Sequence, residues 1–278
     1  MLADITKYLR IEKFPHIWCP GCGHGIALQA FLKAVLKLAI DQDKIVVISG
    51  IGCSSRSVGY LDFDTLHAAH GRALPFATGI KMAKPELTVV VLAGDGDIAA
   101  IGGNHLIHAA RRNINITTVV FNNFNYGMTG GQYSPLTNLD DRATTAPYGN
   151  IEKPFDLCVL AQAAGATYVA RSTTYHALAL PNLIADGIAH KGFSLIEVIS
   201  GCPIYYGRLN NMGSPVEMLR WQRDCAVNVK QYQLLSDAER ETKFVIGLIH
   251  SSQRPEYVDE YSKVIQKAQS SSSNRNSR

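Results

Sequence analysis

The chain has 278 residues, 46% hydrophobic and 18% charged, which is enough apolar material for one large core or two modest ones. That excludes a disordered linker and a small disulfide scaffold, and a net charge of +4 on scattered Lys and Arg leaves no nucleic-acid footprint. Asp4 stands where a signal peptide would be apolar, and no stretch approaches the roughly 18 apolar residues of a membrane span, so a cytoplasmic chain with no membrane partner is expected.

In chain order, a helical period runs over Gly25–Ile40 and is followed by the β-branched run Lys44–Ser49. A second run, Thr88–Ala93, precedes a helical pattern at Ile98–Arg112, and a third covers Asn115–Phe121. Helical patterns at Phe155–Ala164 and Thr174–His190 then lead to a fourth run, Ser194–Ile199, with Pro181 expected to kink or split the second of those helices. Continuous apolar runs of this length suit strands covered on both faces, and the β-α-β-α order predicts an α/β fold with a doubly wound, mostly parallel sheet over residues 1–210. Residues 211–269 read as a short, partly polar C-terminal extension, and the Ser, Asn and Arg of 270–278 as a disordered tail.

Ligands of a doubly wound sheet sit outside the carboxyl ends of its strands. The four runs are followed there by Gly50–Arg56 (GIGCSSR), Gly94–Asp97 (GDGD), Asn122–Gln132 (NNFNYGMTGGQ) and Gly201–Pro203 (GCP). One helix and one returning strand separate Gly96 from Asn122, so Asp95 and Asn123 should stand side by side, and their oxygens suit a hard cation such as Mg²⁺ beside a diphosphate. Gly94 and Gly96 allow close backbone approach at the start of a helix that favours phosphate. This arrangement resembles the GDG…NN motif of thiamine diphosphate enzymes, which implies Asp95, Asn123 and the carbonyl of Asn125 as the metal ligands. A P-loop and a complete G-x-G-x-x-G are both missing.

Cys19 and Cys22 form a C-x-x-C pair, and the sheet logic brings Cys53 and Cys202 to the same edge. Four thiolates suit Zn²⁺ or an iron-sulfur cluster, and the ligands alone do not choose between them. The dispersed third and fourth cysteines favour a cluster beside an organic cofactor, while Cys158 and Cys225 read as core or incidental thiols. No ferredoxin-like cysteine run follows, so any further cluster belongs to other subunits.

WCPGCGHG (Trp18–Gly25), GIGCSSR, HGRALPFATGIK (His70–Lys81), GDGD, GGNHLIHAARRN (Gly102–Asn113) and NYGMTGGQ (Asn125–Gln132) occur in one frame. In that combination the chain resembles the β subunits of 2-oxoacid:ferredoxin oxidoreductases, nearest the 2-oxoglutarate type, over about residues 14 to 205. The resemblance implies a thiamine diphosphate-binding (diphosphate-type) fold and a [4Fe-4S] cluster on Cys19, Cys22, Cys53 and Cys202. It also implies thiamine diphosphate held by Ile51, Gly52, Cys53, Ser54, His70, Gly96, Asp97, Gly127, Met128 and Thr129, with Mg²⁺ on the oxygen set.

The family's reaction is 2-oxoacid plus CoA to acyl-CoA and CO₂, with electrons passing through the cluster to ferredoxin. An α subunit supplies the pyrimidine-binding domain and the activating carboxylate. Arg56 is a candidate for the second carboxylate of a dicarboxylic substrate, and His70 for a catalytic role. His24, His67, His105 and His108 are each either acid–base groups or histidines with a local hydrogen bond. The rival substrates are pyruvate and branched-chain 2-oxoacids. The rival class is a noncatalytic cluster-carrying or zinc-stabilised interaction protein.

Overall fold

The computed structural model describes residues 5–273. Asp4 and residues 274–278 of the expected tail lie outside the described residues, whereas 270–273 continue a helix, so the tail does not begin at 270.

One main sheet carries the fold. Its strands are β1 (Ile45–Ser49), β2 (Asp64–His67), β3 (Thr88–Gly94), β4 (Thr117–Asn122), β7 (Tyr168–Thr173), β8 (Ser194–Ile199), β9 (Ala226–Asn228) and β10 (Phe244–Ser251). They lie in the order β2-β1-β3-β4-β8-β7-β10-β9, and the short pair β5 (Asn125–Tyr126) and β6 (Gln132–Tyr133) forms a separate hairpin. Neighbours pair in parallel except β10 with β7, which is antiparallel with a bulge between Leu248 and His250. Because β10 joins this sheet, segment 211–269 is not simply an extension after a domain ending at 210.

Alternate strand residues feed two cores. Ile45, Val47, Val90, Leu92 and Val119 pack against α1 (His24–Leu38) and α6 (Leu180–Ala189) on one face. Val46, Ile48, Val89, Val91 and Val120 pack on the other face against α3 (Ala73–Ala83), α4 (Gly103–Arg112) and α5 (Leu157–Ala163). The remaining helices are α2 (Ser57–Tyr60), α7 (Pro215–Cys225), α8 (Val229–Leu234), α9 (Asp237–Arg240) and α10 (Tyr257–Ser273). No helix among the described residues is long and apolar enough to cross a membrane.

Two helices differ from expectation. Pro181 opens α6 in its first turn, where its missing N–H costs nothing, rather than splitting a longer helix. The helix expected over Ile98–Arg112 is broken, because Ala100 leaves helical geometry (φ −89°, ψ −105°) and separates a wide turn, Asp97–Ile101, from α4.

Strand β7 escaped the sequence reading because Arg171 interrupts its apolar pattern. Arg171 lies opposite Glu197 of β8, and both are buried. The Arg171 Nε donates to Glu197 Oε2 at 2.6 Å, Nη2 to Asp156 at 2.5 Å, and Glu197 Oε1 accepts from Asn122 Nδ2 at 2.8 Å. Removing one partner strands a buried charge, so Arg171→Met is expected to cost about 3–5 kcal/mol. In urea unfolding of the full chain, Arg171→Met combined with Glu197→Gln should recover most of that loss. A double variant no more stable than the single one would contradict the pairing.

Candidate active site

Asp95 and Asp97 follow β3, Ile51–Ser54 follow β1 and Asn123–Thr129 follow β4. These carboxyl ends, with His70, line a cleft of about 590 Å³, partly open to solvent, and every expected thiamine and magnesium residue borders it. Gly96 is required there because a Cβ would run into the Tyr126 ring.

Two oxygens and one side-chain amide converge at its floor. The amide end of Asn123 faces the Asn125 carbonyl at 2.8 Å and Asp95 Oδ1 at 3.2 Å. With its nitrogen turned in, the amide donates to both; with its oxygen turned in, the set is oxygen only, the donor chemistry of a hard cation. Asp95 is buried, which pushes its carboxyl up to about 7, while donation from the Ser134 hydroxyl and a backbone N–H of Gly96 pull against that shift. A bound cation would reverse the burial effect.

Asp97 ties three loops. Its Oδ1 accepts from the Gly71 N–H at 2.6 Å and the Ile51 N–H at 3.4 Å, and lies 2.8 Å from His70 Nδ1. The His70 contact is electrostatic rather than a well-aligned hydrogen bond, since neither His70 Nδ1 nor Asp97 Oδ2 has a hydrogen-bond partner among the described residues. Burial raises the Asp97 carboxyl above its usual range, against the pull of Gly71 and His70.

The four expected cysteines meet beside this floor. Cys22 N–H closes a turn onto the Cys19 carbonyl at 3.0 Å, a turn that takes Gly21 through φ +80°. Trp18 Nε1 donates to the Cys53 carbonyl at 2.7 Å and pins this segment to the turn after β1. Burial pushes the Cys22 thiol up to about 12; the His24 N–H lowers it, and Cys53, Cys202 and Cys19 raise it further. Cys53 goes up to about 11, again by burial first and then by Cys202 and Cys19. All six cysteines are free, and Asn125 Nδ2 contacts Cys202 Sγ at 3.6 Å.

Among the described residues no three His, Cys, Asp or Glu side chains stand close enough together to hold one metal ion. The oxygen set draws two of its three donors from an amide and a backbone carbonyl, and thiolates around a four-iron cluster stand further apart than around a single ion. The donor types are those that the sequence implies, oxygens for a hard cation and thiols for a cluster.

Other expected residues fall elsewhere. Arg56 is exposed and outside the cleft wall, and its side chain makes no hydrogen bond or ion pair among the described residues. His67 and His108 are exposed, and His105 lies 3.1 Å from Arg72 Nη1, so none of them reaches the cleft. Cys158 is a buried core thiol against Glu197.

His24, by contrast, lines the cleft, with Nδ1 unpartnered among the described residues and its ring between Trp18 and Phe121. Tyr126 and Phe121 also wall the cleft and were not anticipated; both lie on or beside the motif strands, which is the only sequence signal they carry.

A family model described as the thiamine pyrophosphate enzyme, C-terminal TPP binding domain, matches residues 50–198. The 2-oxoglutarate synthase subunit KorB of Methanocaldococcus jannaschii is 51% identical over 264 residues, covering 95% of this chain and 98% of that one. The chain belongs to the thiamine pyrophosphate enzyme family, in its KorB branch. The KorB subunit of Archaeoglobus fulgidus is 57% identical over 205 residues, 74% of this chain and 76% of its own. A solved 2-oxoglutarate:ferredoxin oxidoreductase from Magnetococcus marinus, with 2-oxoglutarate, coenzyme A and succinyl-CoA bound, superposes with TM-score 0.85 at 34% identity. That match covers 95% of this chain and 90% of the solved one.

Burial lowers His24 to about 4, so the neutral ring is the folded form. Its contribution to stability is complete above about pH 6.5 and is lost as pH falls towards 4. In the metal-stripped chain, the wild type should lose about 3 kcal/mol more than His24→Leu between pH 7 and pH 4. Parallel losses in denaturant titrations at the two pH values would refute this.

Proposed function

We propose that this chain is the thiamine diphosphate-binding β subunit of a 2-oxoglutarate:ferredoxin oxidoreductase. The enzyme converts 2-oxoglutarate and CoA to succinyl-CoA and CO₂ while reducing ferredoxin, or runs the reverse. One observation carries the reading: the loop from Asn123 to Gly127 closes the oxygen set on one side and stands against cysteine sulfurs on the other. A Cβ on Gly127 would lie 3.5 Å from Cys53 Sγ and 3.6 Å from Cys202 Sγ. An organic cofactor and a redox cluster would thus share one loop, as electron transfer out of a decarboxylated 2-oxoacid requires. The names of the KorB relatives and of the solved oxidoreductase support the substrate.

The cofactor supplies an electron sink for decarboxylation when bound. Asp95, Asn123 and the Asn125 carbonyl hold Mg²⁺ against its diphosphate. The Ile51–Ser54 and Gly127–Thr129 turns, with Gly96, offer backbone and hydroxyl donors to the phosphate oxygens. His70, partly exposed and held at Asp97, lines the same cleft and would contact the cofactor there. Cys19, Cys22, Cys53 and Cys202 hold a [4Fe-4S] cluster, with the Asn125 amide and the His24 N–H directed at sulfur. Phe121, Ile51 and Met128 exclude water from the reacting carbon.

The carboxylates of the cleft wall are Asp95 and Asp97, and both are engaged within this chain, Asp95 by Ser134 and Asp97 by Gly71. We assign the acid that activates thiamine to an α subunit, with which the chain would act as a hetero-oligomer. Six free cysteines suit a reducing compartment, and we assign the enzyme to the cytoplasm.

Purified anaerobically with its co-purifying chains, the protein should contain about four irons with matching sulfide and about one thiamine diphosphate per chain. Zinc without thiamine diphosphate would replace the enzyme by a noncatalytic interaction protein.

Arg56 stands in solvent two residues beyond Ser54 of the cleft wall, its side chain free of partners among the described residues, and we assign it to the second carboxylate of 2-oxoglutarate once substrate is bound. Loss of a charged hydrogen bond predicts a rise of about 10-fold or more in KM for 2-oxoglutarate in Arg56→Leu, with pyruvate turnover unchanged. Equal losses on both substrates would remove Arg56 from substrate choice.

A further inference from the structure

Behind the cleft floor, outside its lining, runs the segment Ser134-Pro135-Leu136-Thr137. Ser134 and Thr137 are buried, and each gives its hydroxyl proton to a different strand end of the oxygen set. Ser134 Oγ donates to Asp95 Oδ2 at 2.5 Å, and Thr137 Oγ1 donates to the Phe124 carbonyl at 2.5 Å. The two residues also lock one another: Ser134 N–H donates to Thr137 Oγ1 at 2.8 Å, and Thr137 N–H to the Ser134 carbonyl at 3.0 Å. Asn150 Nδ2 fastens the turn by donating to the Thr137 carbonyl at 2.9 Å.

The geometry has a definite consequence for the floor. With Oδ2 of Asp95 held from behind, the other oxygen, Oδ1, is the one that faces Asn123. With the Phe124 carbonyl held, Phe124 stays at φ +62°, and the chain turns so that the next carbonyl, that of Asn125, points back at the same amide. One rigid turn thereby sets the spacing between oxygen donors that come from two separate strands.

Resting on the reading that Mg²⁺ and thiamine diphosphate occupy the cleft, we propose that Ser134 and Thr137 are positioning residues for Mg²⁺, bracing Asp95 against the Asn123–Asn125 loop. Their effect is on geometry rather than on charge. Mg²⁺ demands near-ideal octahedral placement of its oxygens, whereas Ca²⁺ accepts irregular and longer coordination. Slackening the brace therefore penalises Mg²⁺ more than Ca²⁺, a discrimination that general loss of stability would not produce.

The test uses the full chain in the complex with which it purifies, stripped of cofactor. Thiamine diphosphate uptake is measured by equilibrium dialysis against Mg²⁺ and, separately, Ca²⁺, for the unaltered protein, Ser134→Ala and Thr137→Val. Both substitutions keep nearly the same volume, and each probes a different strand. The half-saturating Mg²⁺ concentration should rise about 10-fold in either variant, as for other residues that orient metal ligands, with a clearly smaller rise for Ca²⁺. Unchanged values, or rises equal for the two ions, would overturn the inference while leaving the proposed function standing. Absence of cation-dependent uptake by the unaltered protein would overturn the proposed function and this inference with it.

Discussion

The floor of this cleft is built around one side-chain amide, that of Asn123, which stands within hydrogen-bond reach of two oxygens from different strand ends. Asp95 Oδ1, the Asn125 carbonyl and the Asn123 amide face a common point. Hydrogen bonds from behind tie the segments that carry them. The ties are on all sides: Ser134 holds the far oxygen of Asp95, Thr137 the Phe124 carbonyl, and Asn122 accepts from the Phe124 N–H at 3.0 Å. Asn122 in turn is oriented by Glu197, which Arg171 neutralises. A chain of buried polar contacts thus runs from the middle of the sheet to the floor, and its desolvation cost is the reason it is fully hydrogen-bonded.

The same loop borders two groups of donors. Asn125 offers its carbonyl to the oxygen set and its side-chain nitrogen to Cys202, so a shift of this residue moves both sites together. Partial burial raises the Cys22 and Cys53 thiols to about 12 and about 11, so these two are protonated at neutral pH, and a metal would have to displace their protons.

Much of this was legible in the residues. The four continuous apolar runs became β1, β3, β4 and β8, because a strand buried on both faces has no reason to alternate. Of the strands that stayed hidden, β7 is broken by Arg171 and β2 is half-exposed, whereas β10 is an apolar run, interrupted by Gly247, that lies in a segment otherwise polar. The cleft residues were found because glycines and asparagines in place of apolar residues mark strand ends with a special task. Ser134 and Thr137 were not, since a serine and a threonine beside a proline look like any surface turn.

The sequence by itself determined the fold class and the gathering of candidate oxygen and sulfur donors at the carboxyl edge of the sheet, because these depend on residue type and on spacing along consecutive β-α-β units. Only the tertiary structure decided which side chains reach the cleft. Arg56 stayed in solvent while His24 was buried at its wall, although both lie within a few residues of a cysteine ligand candidate. The braces on Asp95 and Phe124, and the pairing of Arg171 with Glu197, were likewise settled in three dimensions. Contacts between residues tens of positions apart depend on how strands are ordered in the sheet, and no local pattern encodes that order.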